Sequence, residues 1–340
     1  MERIIAIDYA KGFAILILLL SHCMGEESIL KTWISSWNMP IFFIICGLLQ
    51  QLHYPNGLPL NKLQIWMKHR IIQIFVPYFT FSLLYILFLN GLSWISEGKT
   101  NIFSGVISII TMQGVASMWF LPVYFFSEML YVFFTVKLTY IKQFLFVIII
   151  IILVISFQYN NGIFTNKAIY LLVKIFVAQS FTILGGVMKQ ILHQRKPYVL
   201  LLTILLIASI LALYNGFISI GALLFNNVIL FFIAGTIISY VIIMLFKAID
   251  KNINHKRYFN ILSVFGANSI VVLVTNNLLI ELFRLLEYKV FNNFFLENGV
   301  IGAFLMATIL AIPEYYLISI AQNKIGILFG RKLIVNNGKQ

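Results

Sequence analysis

Ten long apolar stretches, parted by short polar breaks, leave this chain few ways to fold. They run roughly over residues 4–24, 37–52, 71–92, 117–136, 143–159, 168–188, 198–214, 220–247, 267–286 and 299–320. A helix crosses the hydrocarbon of a bilayer with about 20 apolar residues, and it pairs every backbone N–H and C=O within itself. Breaks such as Tyr54-Pro55-Asn56-Gly57 and Tyr159-Asn160-Asn161-Gly162 carry turn-forming residues. The 61% hydrophobic and 10% charged content lies far from the roughly 45–50% and about 25% of water-soluble domains. The expected fold is an all-α, polytopic transmembrane helix bundle of about ten spans. Residues 1–340 read as a single integral-membrane domain with no internal repeat. The first stretch lacks a small-residue cleavage pattern and reads as a retained span.

The chain carries 24 Lys+Arg against 11 Asp+Glu, a net charge of +13. In a soluble protein that excess would suggest nucleic acid; here it reports topology. Eighteen of the 24 basic residues fall on one side of the expected bundle. The other side holds Lys31, Lys99, Lys167, Lys174, Arg284 and Lys289. Basic residues stay in the cytoplasm, so both termini are expected there, and no nucleic-acid partner is. Cys23 and Cys46 lie in or beside apolar runs and suggest neither a disulfide framework nor a metal cluster. No metal is expected. Phosphate-binding Gly-Lys loops and nucleophile elbows are absent from the sequence.

Ionisable groups inside a span cost roughly 2.5–3.5 kcal/mol on the insertion scale and usually face a cavity or a partner. Asp8, Lys11 and His22 share one face of the first span, with His22 about 21 Å beyond Asp8, too far for a direct contact. Glu128 falls about 15 Å into the fourth span, where a carboxylate must be protonated, paired or hydrated. Lys68-His69-Arg70 is a basic cluster at the expected cytoplasmic mouth, suited to phosphates. Trp37-Asn38-Met39-Pro40 reads as a helix start, because proline is tolerated in a first turn. Glu281, Arg284 and Glu287 are spaced to pair along one face, and Glu314 follows Pro313 in the last span.

The order of these blocks resembles acyltransferase family 3, bacterial integral-membrane O-acyltransferases that include the fucose 4-O-acetylase-like group. The resemblance rests on Ile7-Asp8-Tyr9-Ala10-Lys11-Gly12-Phe13-Ala14 leading to His22, then Met39-Pro40-Ile41-Phe42-Phe43 with Gly47. It continues through Lys68-x-Arg70 with Pro77-Tyr78, Trp119-Phe120-Leu121-Pro122 with Glu128, and Phe265-Gly266-Ala267-Asn268-Ser269-Ile270, and ends at Gly330-Arg331-Lys332. It implies acyl transfer from cytoplasmic acyl-CoA, most simply acetyl-CoA, to a hydroxyl of a cell-surface glycan or lipid-linked sugar. Membrane lipid is the remaining partner, and the bacterial cytoplasmic membrane the location. By motif, His22 matches the essential histidine of the family's first helix, and Lys68 and Arg70 match its CoA-binding basic motif. Lys11 joins them as a donor-binding residue. Two positions depart from many relatives: Asn38 replaces a histidine before Met-Pro, and Val274-Thr275-Asn276-Asn277 lacks the histidine of that block.

The expected mechanism gives His22 the role of general base, since imidazole with an ordinary pKa of about 6.5 accepts and returns a proton near neutrality. Asn38 and Trp119 are the candidate oxyanion donors, and Glu128 the residue expected to line the cavity or orient a catalytic group. An acyl-histidine relay is the alternative chemistry. The competing function is a polysaccharide-precursor transporter or flippase using intramembrane His22 and Glu128 as proton relays.

Overall fold

The computed structural model describes residues 4–97, 102–159, 166–192, 197–252, 256–291 and 293–330. Ten of its helical segments are long and apolar enough to cross a membrane, as the sequence predicts. In chain order the helices are α1 (Ile5–Cys23), α2 (Ile29–His53), α3 (Leu60–Glu97), α4 (Ile102–Ile110), α5 (Phe120–Phe133), α6 (Tyr140–Tyr159) and α7 (Lys167–Leu192). They continue with α8 (Tyr198–Asn215), α9 (Val228–Asn252), α10 (Lys256–Ala267), α11 (Ser269–Leu286), α12 (Phe294–Glu297) and α13 (Gly299–Asn323). Among the described residues there is no strand beyond an isolated bridge between Ser219 and Leu224. Helices α2 and α7 are the most enclosed; α6 and α8 turn residues such as Ile148, Ile152, Leu202 and Leu206 outward, where lipid would cover them.

Several boundaries differ from the sequence reading. Helix α2 starts at Ile29, eight residues before the expected 37, because Ser28 caps it by accepting from the Lys31 amide at 3.4 Å. Its first turns are rich in polar residues that bond back to their own helix: Ser35 Oγ donates to the Thr32 carbonyl at 2.7 Å and Ser36 Oγ to that of Trp33 at 2.8 Å. Pro40 therefore lies inside the helix rather than in its first turn. A proline there frees the carbonyl four residues back. That carbonyl, of Ser36, is closely approached by Gly235 of α9, and Ser239 Oγ donates to the Trp37 carbonyl at 3.5 Å. Neighbouring helices thus accommodate the break, as they must in lipid. Helix α9 begins at Val228 instead of 220, after a turn in which the Asn215 and Asn226 side chains bond to nearby backbone. Helices α4, α10 and α12 were not anticipated.

The blocks Asp8–Gly12 and Phe265–Gly266, far apart in the chain, meet in the fold. A Cβ on Gly12 would stand 1.9 Å from the Leu262 carbonyl oxygen, and one on Gly266 1.8 Å from that of Asp8. Only glycine lets α1 and α10 pack this closely. The Gly330 end of the terminal motif returns to α3: its φ of +66° is left-handed, and a Cβ there would lie 2.3 Å from the Ile72 carbonyl oxygen. Arg331 and Lys332 of that motif lie outside the described residues.

Two apolar clusters divide the bundle along α1. The larger gathers Trp37, Phe43, Tyr78, Phe120 and Phe231 around the lower and middle turns of α1. The smaller packs Leu19, Leu20 and Cys23 against Ile280, Phe283, Met306 and Leu310 at its C-terminal end. Cys23 and Cys46 are both buried free thiols.

Candidate active site

A cavity of about 330 Å³ opens beside the N-terminal half of α1. Lys11 and Ile15 of α1, Arg70 and Gln73 of α3, Phe120 and Tyr124 of α5, Leu273 of α11 and Phe329 line it, among others. Apolar walls with a few convergent polar groups are the usual make-up of a ligand site.

The cationic floor is built from paired charges. Lys11 Nζ lies 2.9 Å from Asp8 Oδ1 one helical turn away. Arg70 is held from behind: its Nη2 donates to Glu128 Oε1, and its Nη1 to Gln73 Oε1 at 3.1 Å. Glu128 is fully buried and also accepts from the Gln50 amide. One carboxylate thus orients one guanidinium, and Arg70 is among the residues that line the cavity. Gln50 and Gln73 escaped the sequence reading, although a glutamine within an apolar run is itself a signal. Lys68 does not join this floor. Residues two apart on a helix point to nearly opposite sides, so Lys68 is exposed while Arg70 turns inward. The pair expected to act together is split.

His22 stands at the other end of the same α1 face, eleven residues and about 16 Å beyond Lys11. It does not line the cavity. Its Nε2 is buried and has no hydrogen-bond partner among the described residues. Around it, Arg284 Nη2 donates to the His22 carbonyl at 3.3 Å and Lys31 Nζ to the Met24 carbonyl at 3.1 Å, closing the C-terminus of α1 with positive charge. Arg284 also pairs with Glu281 at 3.3 Å, as the sequence spacing predicts.

Asn38 was expected as an oxyanion donor at His22 and is not there. Glu128, expected to line the cavity or orient a catalytic group, orients Arg70 instead of lining the cavity. Asn38 Nδ2 donates to the Ala14 carbonyl at 2.8 Å, eight residues and about 12 Å along α1 from His22. Its donor group is therefore spent on backbone and is not an oxyanion donor at His22. Glu128 sits behind Arg70, at the opposite end, and is not part of the cavity wall. Trp119 presents its ring to Lys174, whose Nζ is 5.7 Å from the ring centroid. Farther along α11, Thr275 Oγ1 is 2.7 Å from Glu314 Oε2, and Asn277 Nδ2 donates to Ser117 Oγ at 2.5 Å.

The family model for the acyltransferase 3 domain matches residues 4–319, nearly the whole chain. The chain belongs to acyltransferase family 3. No curated protein and no solved structure matches it. With ten membrane-crossing helices, this family 3 protein is a multi-pass membrane acyltransferase. Its family motifs converge on one helix: α1 carries Lys11 at the cavity and His22 beyond it, while Arg70, Phe120 and Gly266 close the same cavity from other elements.

Proposed function

We propose that the protein is an O-acyltransferase moving an acetyl group from cytoplasmic acetyl-CoA to a hydroxyl of a cell-surface glycan or lipid-linked sugar. The observation that carries this reading is the cavity whose floor presents Lys11 and Arg70 and whose α1 wall leads to His22. By the asymmetry of Lys and Arg, that floor faces the cytoplasm of a bacterial cell. Guanidinium and ammonium groups suit the phosphates of CoA, and Glu128 sets the guanidinium in place. The pantetheine arm follows the apolar wall past Ile15 towards His22, where exclusion of water protects the thioester.

At His22 the acceptor oxygen attacks the thioester carbonyl while its proton passes to Nε2. The tetrahedral intermediate then collapses, the C–S bond breaks, and the imidazolium returns the proton to the departing thiolate. The products are the O-acetyl ester and free CoA, and no group is left on the protein. An unpartnered Nε2 is suited to this role, since no group among the described residues competes for its lone pair. The transporter reading loses support from Glu128, whose charge is committed to Arg70.

The test is to supply labelled acetyl-CoA to membranes containing the protein and to follow label into glycan. Label transfer that depends on His22 is expected. Transfer undiminished in His22→Ala would overturn the mechanism, and no transfer by the unaltered protein in membranes that supply its native acceptor would overturn the function.

A further inference from the structure

Between the cavity and His22 lies a residue with no assigned role. On α11, positions 273, 276 and 280 share a face, being three and four residues apart. Leu273 lines the cavity, and Ile280 packs with Leu19, Leu20 and Cys23 beside His22. Asn276 stands between them, about 4.5 Å along the helix from the cavity wall. Its side chain is fully buried, and neither Nδ2 nor Oδ1 has a partner among the described residues. Exchanging oxygen and nitrogen in the amide leaves both atoms equally unpaired. The polar neighbours are engaged elsewhere, Thr275 with Glu314 and Asn277 with Ser117.

Burying a carboxamide with both ends unpaired is costly, and leucine would fill a similar volume without that cost. A residue that lowers stability at such a position is explained by what passes it. A ligand that runs from the Lys11–Arg70 floor to His22 between α1 and α11 goes by this helix face. A carboxamide offers a donor and an acceptor side by side, which complements the N–H and C=O contributed by two successive secondary amides. The pantetheine arm carries such amides between its phosphate end and its thioester.

We infer that Asn276 is the amide-binding subsite of the donor passage: Nδ2 donates to the carbonyl of one pantetheine amide, and Oδ1 accepts from the N–H of the other. This rests on the acyl-CoA reading. Holding an amide one turn past the cavity directs the thioester at its end towards His22. The intervening apolar side chains, Leu18 among them, move aside when the arm enters.

The experiment uses the full chain in lipid nanodiscs and two probes. Coenzyme A carries the arm; adenosine 3′,5′-bisphosphate keeps the phosphates and lacks it. Asn276→Leu is expected to weaken coenzyme A about tenfold or more, to leave adenosine 3′,5′-bisphosphate unchanged, and to raise the thermal midpoint. Asn276→Ala needs no extra room and carries the same binding expectation, so the test stands if leucine proves too bulky. Equal affinity for coenzyme A in the unaltered protein and both variants would overturn the subsite and leave the donor reading intact. Failure of the unaltered protein to bind either probe would overturn the donor reading and the subsite with it.

Discussion

Arg70 and Glu128 show how single residues acquire a role only through their partners. Burying either charge alone would be costly, but together they form an ion pair that fixes the Arg70 guanidinium at the cavity wall. Removing one partner strands the other, which costs on the order of 3 kcal/mol. Glu128→Leu is therefore expected to lower the thermal midpoint of the purified protein and to weaken coenzyme A binding, both read in one nanodisc preparation. Lys68→Ala should change stability by less than about 0.5 kcal/mol, as exposed substitutions do, and should leave donor affinity within about twofold. A large loss with Lys68→Ala would restore it to the site. At His22 the expectation is different: losing a general base lowers turnover by about 10²–10⁴-fold, while donor affinity measured by titration stays unchanged. Each of these residues is visible in the sequence as a polar group in or beside an apolar run. What the sequence does not carry is pairing. Arg70 and Glu128 are 58 positions apart, and nothing in their spacing records that α3 and α5 face each other. The grouping of Asn38 with His22 failed for the same reason, because distance along α1 separates them.

At the scale of helices, hydropathy locates the spans but not their ends. Polar residues in the first turns of α2 hide its start, since hydroxyls that bond back to their own helix count as polar in the sequence while costing little in the fold. Pro40 was misplaced as a consequence. Close helix contacts were legible only as glycines within motifs; that Gly12 meets Leu262 and Gly266 meets Asp8 required the fold. These contacts set how α1, which bears Lys11 and His22, is seated. Gly12→Leu would force backbone apart at that crossing, and overpacking of this kind costs about 1–3 kcal/mol or more. The expected outcome is a lowered thermal midpoint together with loss of coenzyme A binding, even though Gly12 touches no ligand. A variant that loses neither would show that α1 and α10 can separate without disturbing the cavity.

For the whole molecule, the proposed function takes the side rich in Lys and Arg, the N-terminal end of α1, as the cytoplasmic one. The donor chemistry depends on this orientation, because acyl-CoA is made and kept in the cytoplasm while the Lys11–Arg70 floor opens at the N-terminal end of α1. His22 lies at the opposite end, where a surface glycan would arrive. The orientation can be read by chemical labelling in intact cells. Both native cysteines are buried, so the unaltered protein is expected to be silent towards a membrane-impermeant maleimide. Glu27 is exposed in the turn that follows α1, and Lys62 is exposed in the first turns of α3. Glu27→Cys should therefore label in intact cells, and Lys62→Cys only after the membrane is permeabilised. The reverse pattern would place the cationic floor outside the cell, away from any acyl-CoA, and the proposed reaction would fall with it.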